Sequence, residues 1–188
     1  ALAEGKMPFF IESPMIETER FLGIPDTLFA PQVVFLRFLK LGEFILFNSF
    51  LNYAAGFFIL MRIKNRLGWS LAPFLVTAPL LLLNGFILSH LAVGHTMWVN
   101  AYLLPWLILL YLYLPTEGID WRWILEFSLF SLALFLQGGF HFALWSWGFF
   151  LLVGLVKNSS LKTILLSIFF SVLSSLFRIL PASITFID

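Results

Sequence analysis

The side chains of this chain that are equipped for chemistry are three histidines, one isolated arginine and a few carboxylates. His90 and His95 share the stretch SHLAVGHTMW at 89–98, and His141 follows in QGGFH at 137–141. Imidazole ligates metals and hydrogen-bonds anions near neutral pH. A separation of five does not put two side chains on one helix face, where positions three or four apart meet. Only a loop brings His90 and His95 together, and Gly94 permits one. A metal held there would need a third ligand, from His141 or a carboxylate. The spacing leaves the metal undecided. The competing readings are histidines that hydrogen-bond loop carbonyls, or one histidine that touches a phosphate or sugar. Arg178, just before Ile179-Leu180-Pro181, carries a guanidinium that can grip a diphosphate bidentately, although snorkelling to lipid headgroups would explain it as well. Glu12 and Asp26 are the carboxylates placed to serve as a base. Asp26 also has the Pro-Asp-Thr context of a turn cap, and Glu17 and Glu19 have Arg20 beside them.

The elements that must position these groups follow from composition. Of 188 residues, 61% are hydrophobic and 11% charged, and 24 are Phe. A soluble domain carries about a quarter charged residues, so most of this surface must meet lipid. A net charge of +1 offers no electrostatic fit to nucleic acid. No cysteine is present, which excludes disulfides and thiolate metal sites. P-loop, Gly-rich dinucleotide, HExxH and haem-attachment motifs are absent, and no cofactor is evident. Ala1 stands where a methionine would, and the chain stops soon after Pro181, so a processed protein or a piece of a longer one is expected.

A membrane-crossing helix needs about 20 mostly apolar residues. Such runs lie at Glu43–Met61, Ser70–Leu88, Thr96–Leu114 and Leu161–Phe177. A longer one, Trp123–Val156, is divided by QGGFH into two short helices. The expected fold is therefore all-α, a polytopic integral membrane bundle of about six transmembrane helices over residues 43–188. Arg62, Lys64, Arg66, Arg122, Lys157 and Lys162 fall on one side by alternation, which the positive-inside rule makes cytoplasmic. His90, His95, His141, Gln137, Arg178 and residues 1–42 then share the outer, periplasmic or extracellular, side of a plasma or inner membrane. Residues 1–42 read as a proline-punctuated outer loop, with a short amphipathic interfacial helix near Gln32–Leu41. Asn48 and Asn52 share a helix face and are expected to bond to a neighbouring helix. Arg122 and Glu126 are one turn apart and are expected to pair.

ALAEGKMPFF followed by FLGIPDTLFAP resembles the first outer loop of polytopic glycosyltransferases of the GT-C superfold. The closest branch is the bacterial and archaeal one that includes YfhO-like membrane proteins. Gly5-Lys6-Met7-Pro8-Phe9 and Gly23-Ile24-Pro25 match its turns. Asn84 to Trp106 looks like its histidine-containing outer turn and proline helix, FLQGGFHFALW like its helical hairpin, and RILPASITF like its close. The resemblance implies a glycosyltransferase, or part of one, that moves a sugar from a polyprenyl-phosphate carrier to an acceptor at the outer face. Glu12 or Asp26 would then take the acceptor proton, while His90, His95, His141 and Arg178 bind the lipid-linked donor. The family has a helix before this loop, and commonly an acidic residue at the loop's start, and this sequence begins too late to show either. The alternative is a non-catalytic, GT-C-like integral subunit, whose partners are membrane lipids and other membrane subunits.

Overall fold

The computed structural model describes residues 30–187, with side chains through Leu180. Glu12 and Asp26 lie outside the described residues. Among the described residues all regular structure is helical: α1 Leu41–Leu67, α2 Leu71–Leu82, α3 Gly85–Ala92, α4 Leu104–Leu112, α5 Trp121–Leu136, α6 Phe140–Val156 and α7 Leu161–Ile187, with 3-10 segments at Pro31–Arg37, Thr96–Leu103 and Asn158–Ser160. Three stretches, Leu41–Leu67, Leu71–Ala92 and Asn158–Leu180, are long and apolar enough to cross a membrane. The runs Thr96–Leu112 and Phe140–Val156 are apolar but shorter.

The long helices are built inside out relative to a soluble protein. In α1 the buried face carries Asn48, Asn52 and Gly56, while Leu46, Phe50 and Phe58 are largely exposed. In α7 the buried face is Thr163, Ser167, Ser171, Ser175 and Arg178, and Leu165, Phe169 and Leu173 face outward. Lipid is as apolar as leucine, so helices in a bilayer associate through small and polar side chains rather than through hydrophobic burial. Hydroxyls along α7 bond back to the helix, Ser171 Oγ to the Ser167 carbonyl at 2.7 Å and Ser167 Oγ to that of Thr163 at 2.8 Å. Self-satisfied in this way, they let α7 lie close along α5. An aromatic layer of Trp123, Phe127 and Phe150 fills the centre, with ring centroids 5.2–5.4 Å apart.

Several boundaries differ from the sequence reading, each for a local reason. The expected interfacial helix is a seven-residue 3-10 segment, Pro31–Arg37, that stops before α1; α1 then starts where the Glu43 carboxylate accepts from the Lys40 amide at 2.8 Å. The second run is broken between α2 and α3, because Asn84 turns its side chain onto the Phe86 amide at 2.8 Å and restarts the helix. The third run begins as a 3-10 turn and becomes α-helical at Leu104, where Pro105 takes a position that needs no amide donor. The fourth and fifth runs separate at QGGFH as expected, with Gly138 at φ 76°. Glu126 pairs with Arg62 at 3.0 Å and accepts from Trp106 Nε1 at 3.2 Å, rather than pairing with Arg122. The helix α1, antiparallel to α5, simply presents a nearer cation.

At Gly56 helix α1 packs tightly against the Thr96–Leu103 segment. A Cβ at 56 would stand 2.3 Å from the Tyr102 carbonyl oxygen. A backbone atom cannot swing aside, so Gly56→Ala is expected to cost about 1–3 kcal/mol, read as a lower thermal-denaturation midpoint in detergent. Gly148→Ala, which meets nothing within 4 Å, should be neutral or stabilising.

Candidate functional site

The polar groups sort to two ends of the bundle. At the arginine end, Arg62 and Glu126 border a cavity of about 340 Å³ with Tyr113, Asp120, Arg122 and Trp123. Arg66 lies over the Tyr113 ring at 4.7 Å and Lys157 over Tyr111 at 5.1 Å. At the other end lie all three histidines, Arg178 and a cluster of buried amides.

The amide cluster starts from Asn48, whose Nδ2 donates to Gln137 Oε1 at 3.1 Å, linking α1 to the α5–α6 turn. Its Oδ1 accepts from Gln32 Nε2, and its carbonyl accepts from Asn52 Nδ2 at 2.9 Å. Asn100 Nδ2 donates to the carbonyls of Met97 at 2.7 Å and Gln137 at 3.1 Å. Gly139 makes room for it: a Cβ there would lie 2.6 Å from the Asn100 amide carbon. Asn48, Asn100 and Gln137 are buried. Four separate chain segments therefore meet through amides, of which only the half-buried Gln32 reaches the surface. The expectation that Asn48 bonds across to another element holds; Asn52 bonds within its own helix instead.

The histidines form a neighbouring aromatic cluster. His90 and His95 stand with their Nδ1 atoms 3.2 Å apart. His90 stacks on Trp98 at 4.3 Å, and Phe86 meets both rings edge-on. Trp98 in turn lies 5.7 Å from His141. Two connections are thus joined through one indole, Trp98, which lies 43 positions before His141 in the sequence. Among the described residues no group of three His, Cys, Asp or Glu is placed to hold a metal.

Arg178 is fully buried, and its guanidinium carbon lies 5.4 Å from the centre of the Phe140 ring, next in sequence to His141. A charge held inside an apolar bundle is expensive and marks a functional position by default. Running toward it between α5 and α7 is an apolar groove of about 280 Å³, lined by Trp121, Leu125, Leu129, Leu132, Phe170 and Ser174. Ser174 precedes Arg178 by one helical turn, on the same face of α7.

The structure thus brings His90, His95 and His141 into one cluster and sets Arg178 beside the same α5–α6 turn. The sequence reading did not single out Asn100, Gln32 or the hydroxyl stripe of α7. The stripe had a signal, Thr or Ser at every fourth position from 163 to 175. Asn100 and Gln32 had none, being single amides in apolar surroundings. Comparison with known protein families, with curated proteins and with solved structures finds no match for this chain.

Proposed function

We propose that this chain crosses the bilayer six times with its histidine end and residues 1–42 outside, and that this end binds a polyprenyl-phosphate-linked sugar, as in the GT-C-like glycosyltransferases that the sequence resembles. The observation that carries the reading is the α5–α7 groove, which ends one turn before a buried guanidinium. An isoprenoid tail needs an apolar trough open to lipid, and exposed Leu125 and Leu129 on its rim supply one. The phosphate at the head of that tail needs a fixed cation, and Arg178 is within one turn. His141, next in sequence to Phe140, and the His90–His95 pair joined to it through Trp98 are the proposed contacts of the sugar. Glu12 and Asp26 are the proposed bases for the acceptor hydroxyl. The positive-inside distribution of the arginine end supports this orientation.

The full chain in lipid nanodiscs should bind a polyprenyl-phosphate sugar at least about tenfold more tightly than the matching polyprenol, because a charge-assisted hydrogen bond contributes about 1.5–3 kcal/mol. Equal retention of both, measured by native mass spectrometry, would remove the phosphate from the reading.

A second reading, a non-catalytic membrane subunit, is favoured by one observation. Glu43, the carboxylate that the described residues bring to the histidine end, is engaged at the start of α1. Copurification in fixed stoichiometry with a larger membrane assembly, without affinity for the sugar carrier, would select it.

A further inference from the structure

The pairing of His90 with His95 has a backbone cause. The helix α3 ends with the His95 amide donating to the His90 carbonyl at 2.9 Å and the Gly94 amide to the Leu91 carbonyl at 3.0 Å. Gly94 sits at φ 86°. These are the two bonds of a Schellman closure, which brings together the side chains of the third-last helical residue and the second residue past the cap. In most helices an apolar contact fills that position; here two imidazoles do. A five-residue spacing that cannot pair on a helix therefore pairs across its end.

The ring geometry is specific. With centroids 5.5 Å apart and planes inclined by 25°, the two Nδ1 atoms lie close to the line between the rings. The two ring edges face each other at hydrogen-bond distance. Stacking on Trp98 holds the His90 ring, while His95 is exposed and open to solvent. Two imidazole nitrogens on one tetrahedral metal, each about 2.0–2.1 Å from it, stand about 3.3–3.4 Å apart, against 3.2 Å here.

We propose that His90 and His95 form a two-imidazole chelate for a late first-row divalent metal ion, with the Gly94 turn setting the separation of the donor atoms. Imidazole suits copper, nickel and zinc. Without metal, one ring donates its Nδ1 proton to the other. When metal enters, that proton transfers through solvent to Nε2 of the same ring, and both neutral rings offer Nδ1. Because the two Nδ1 edges meet head-on, metal entry requires the exposed His95 ring to swing by roughly 70° to open a tetrahedral N–metal–N angle, and water completes the coordination. This site does not depend on the sugar-carrier reading.

The test uses the full chain in detergent, without a polyhistidine tag, titrated with Cu2+ or Ni2+ in the absence of any lipid-linked donor. One equivalent should bind, and Cu2+ electron spin-echo spectra should show two coordinated imidazoles. His90→Ala and His95→Ala should each weaken binding at least about tenfold, by analogy with the loss of one metal-site partner. Gly94→Ala keeps both rings but strains the turn, and should also weaken binding. His141→Ala should bind as the parent does. Parent-like binding by the His90→Ala/His95→Ala double variant, or a spectrum with one imidazole, would overturn the chelate. Equal loss in His141→Ala would also overturn it, by pointing to a three-imidazole site.

Discussion

Arg178→Met is expected to keep the bundle folded and to lower affinity for a polyprenyl-phosphate sugar by roughly 10- to 100-fold. The two halves of this expectation have different origins. A guanidinium taken wholly out of water loses hydration, a cost that an apolar side chain does not carry and that offsets part of what the loss of its contacts costs. Methionine can follow the same path beside Phe140 and keep an aromatic contact through its sulfur. What it cannot do is bind an anion. Removing a charge-assisted hydrogen bond to phosphate forfeits about 1.5–3 kcal/mol, which is the stated fold-change in affinity. Arg178→Ala separates the effects from the other direction: it leaves a cavity as well, and should cost about 2–4 kcal/mol of stability. Unfolding in detergent and binding in nanodiscs measure the two quantities independently. A Met variant that keeps parental affinity would free Arg178 from any role in holding phosphate.

Asn48→Leu is expected to cost about 2–4 kcal/mol, the largest loss of stability for a single side chain outside the aromatic core. Asn48 is 3% exposed and is bonded to Gln137, to Gln32 and, through its carbonyl, to Asn52. Leucine fits the space but leaves the buried amide of Gln137 and the half-buried amide of Gln32 without their partner. Each stranded group costs about 1–3 kcal/mol. Gln137→Leu alone should be similarly damaging. The double variant Asn48→Leu/Gln137→Leu should lose less than the sum of the single variants, because the mutual partners leave together. Additive losses in that cycle, read from thermal denaturation, would mean that the amides do not act as a unit.

The pattern of α1 could be read in part from the sequence and in part not. Asn48 and Asn52, four apart in an apolar run, announce a face turned away from lipid. Nothing in the sequence says that the partner of Asn48 is Gln137, since that pair is separated by 89 positions. The division of Trp123–Val156 was legible because two adjacent glycines cannot be mistaken for helix interior there. The break at Leu83–Asn84 was not, because one asparagine in an apolar run is as compatible with a continuous span as with a cap. His90 and His95 are the sharpest case. Their types drew attention at once, yet the helical spacing rule argued against their meeting. The rule applies inside a helix, and these two residues straddle its end.

Local chemistry therefore decided whatever depends on solvent preference and on neighbours in the chain: helical runs, a lipid-facing exterior, and opposite ends for the basic loops and the histidines. Tertiary packing alone decided which polar group meets which, that Glu126 takes Arg62 rather than Arg122, that Trp98 joins His90 to His141, and that the α5–α7 groove ends at Ser174, one turn before Arg178. The reason is physical. Burial and hydrogen bonding of the backbone are satisfied residue by residue or turn by turn, and so leave a periodic trace. A side-chain pairing across helices depends on rotation and separation of whole elements, which many distant contacts set together.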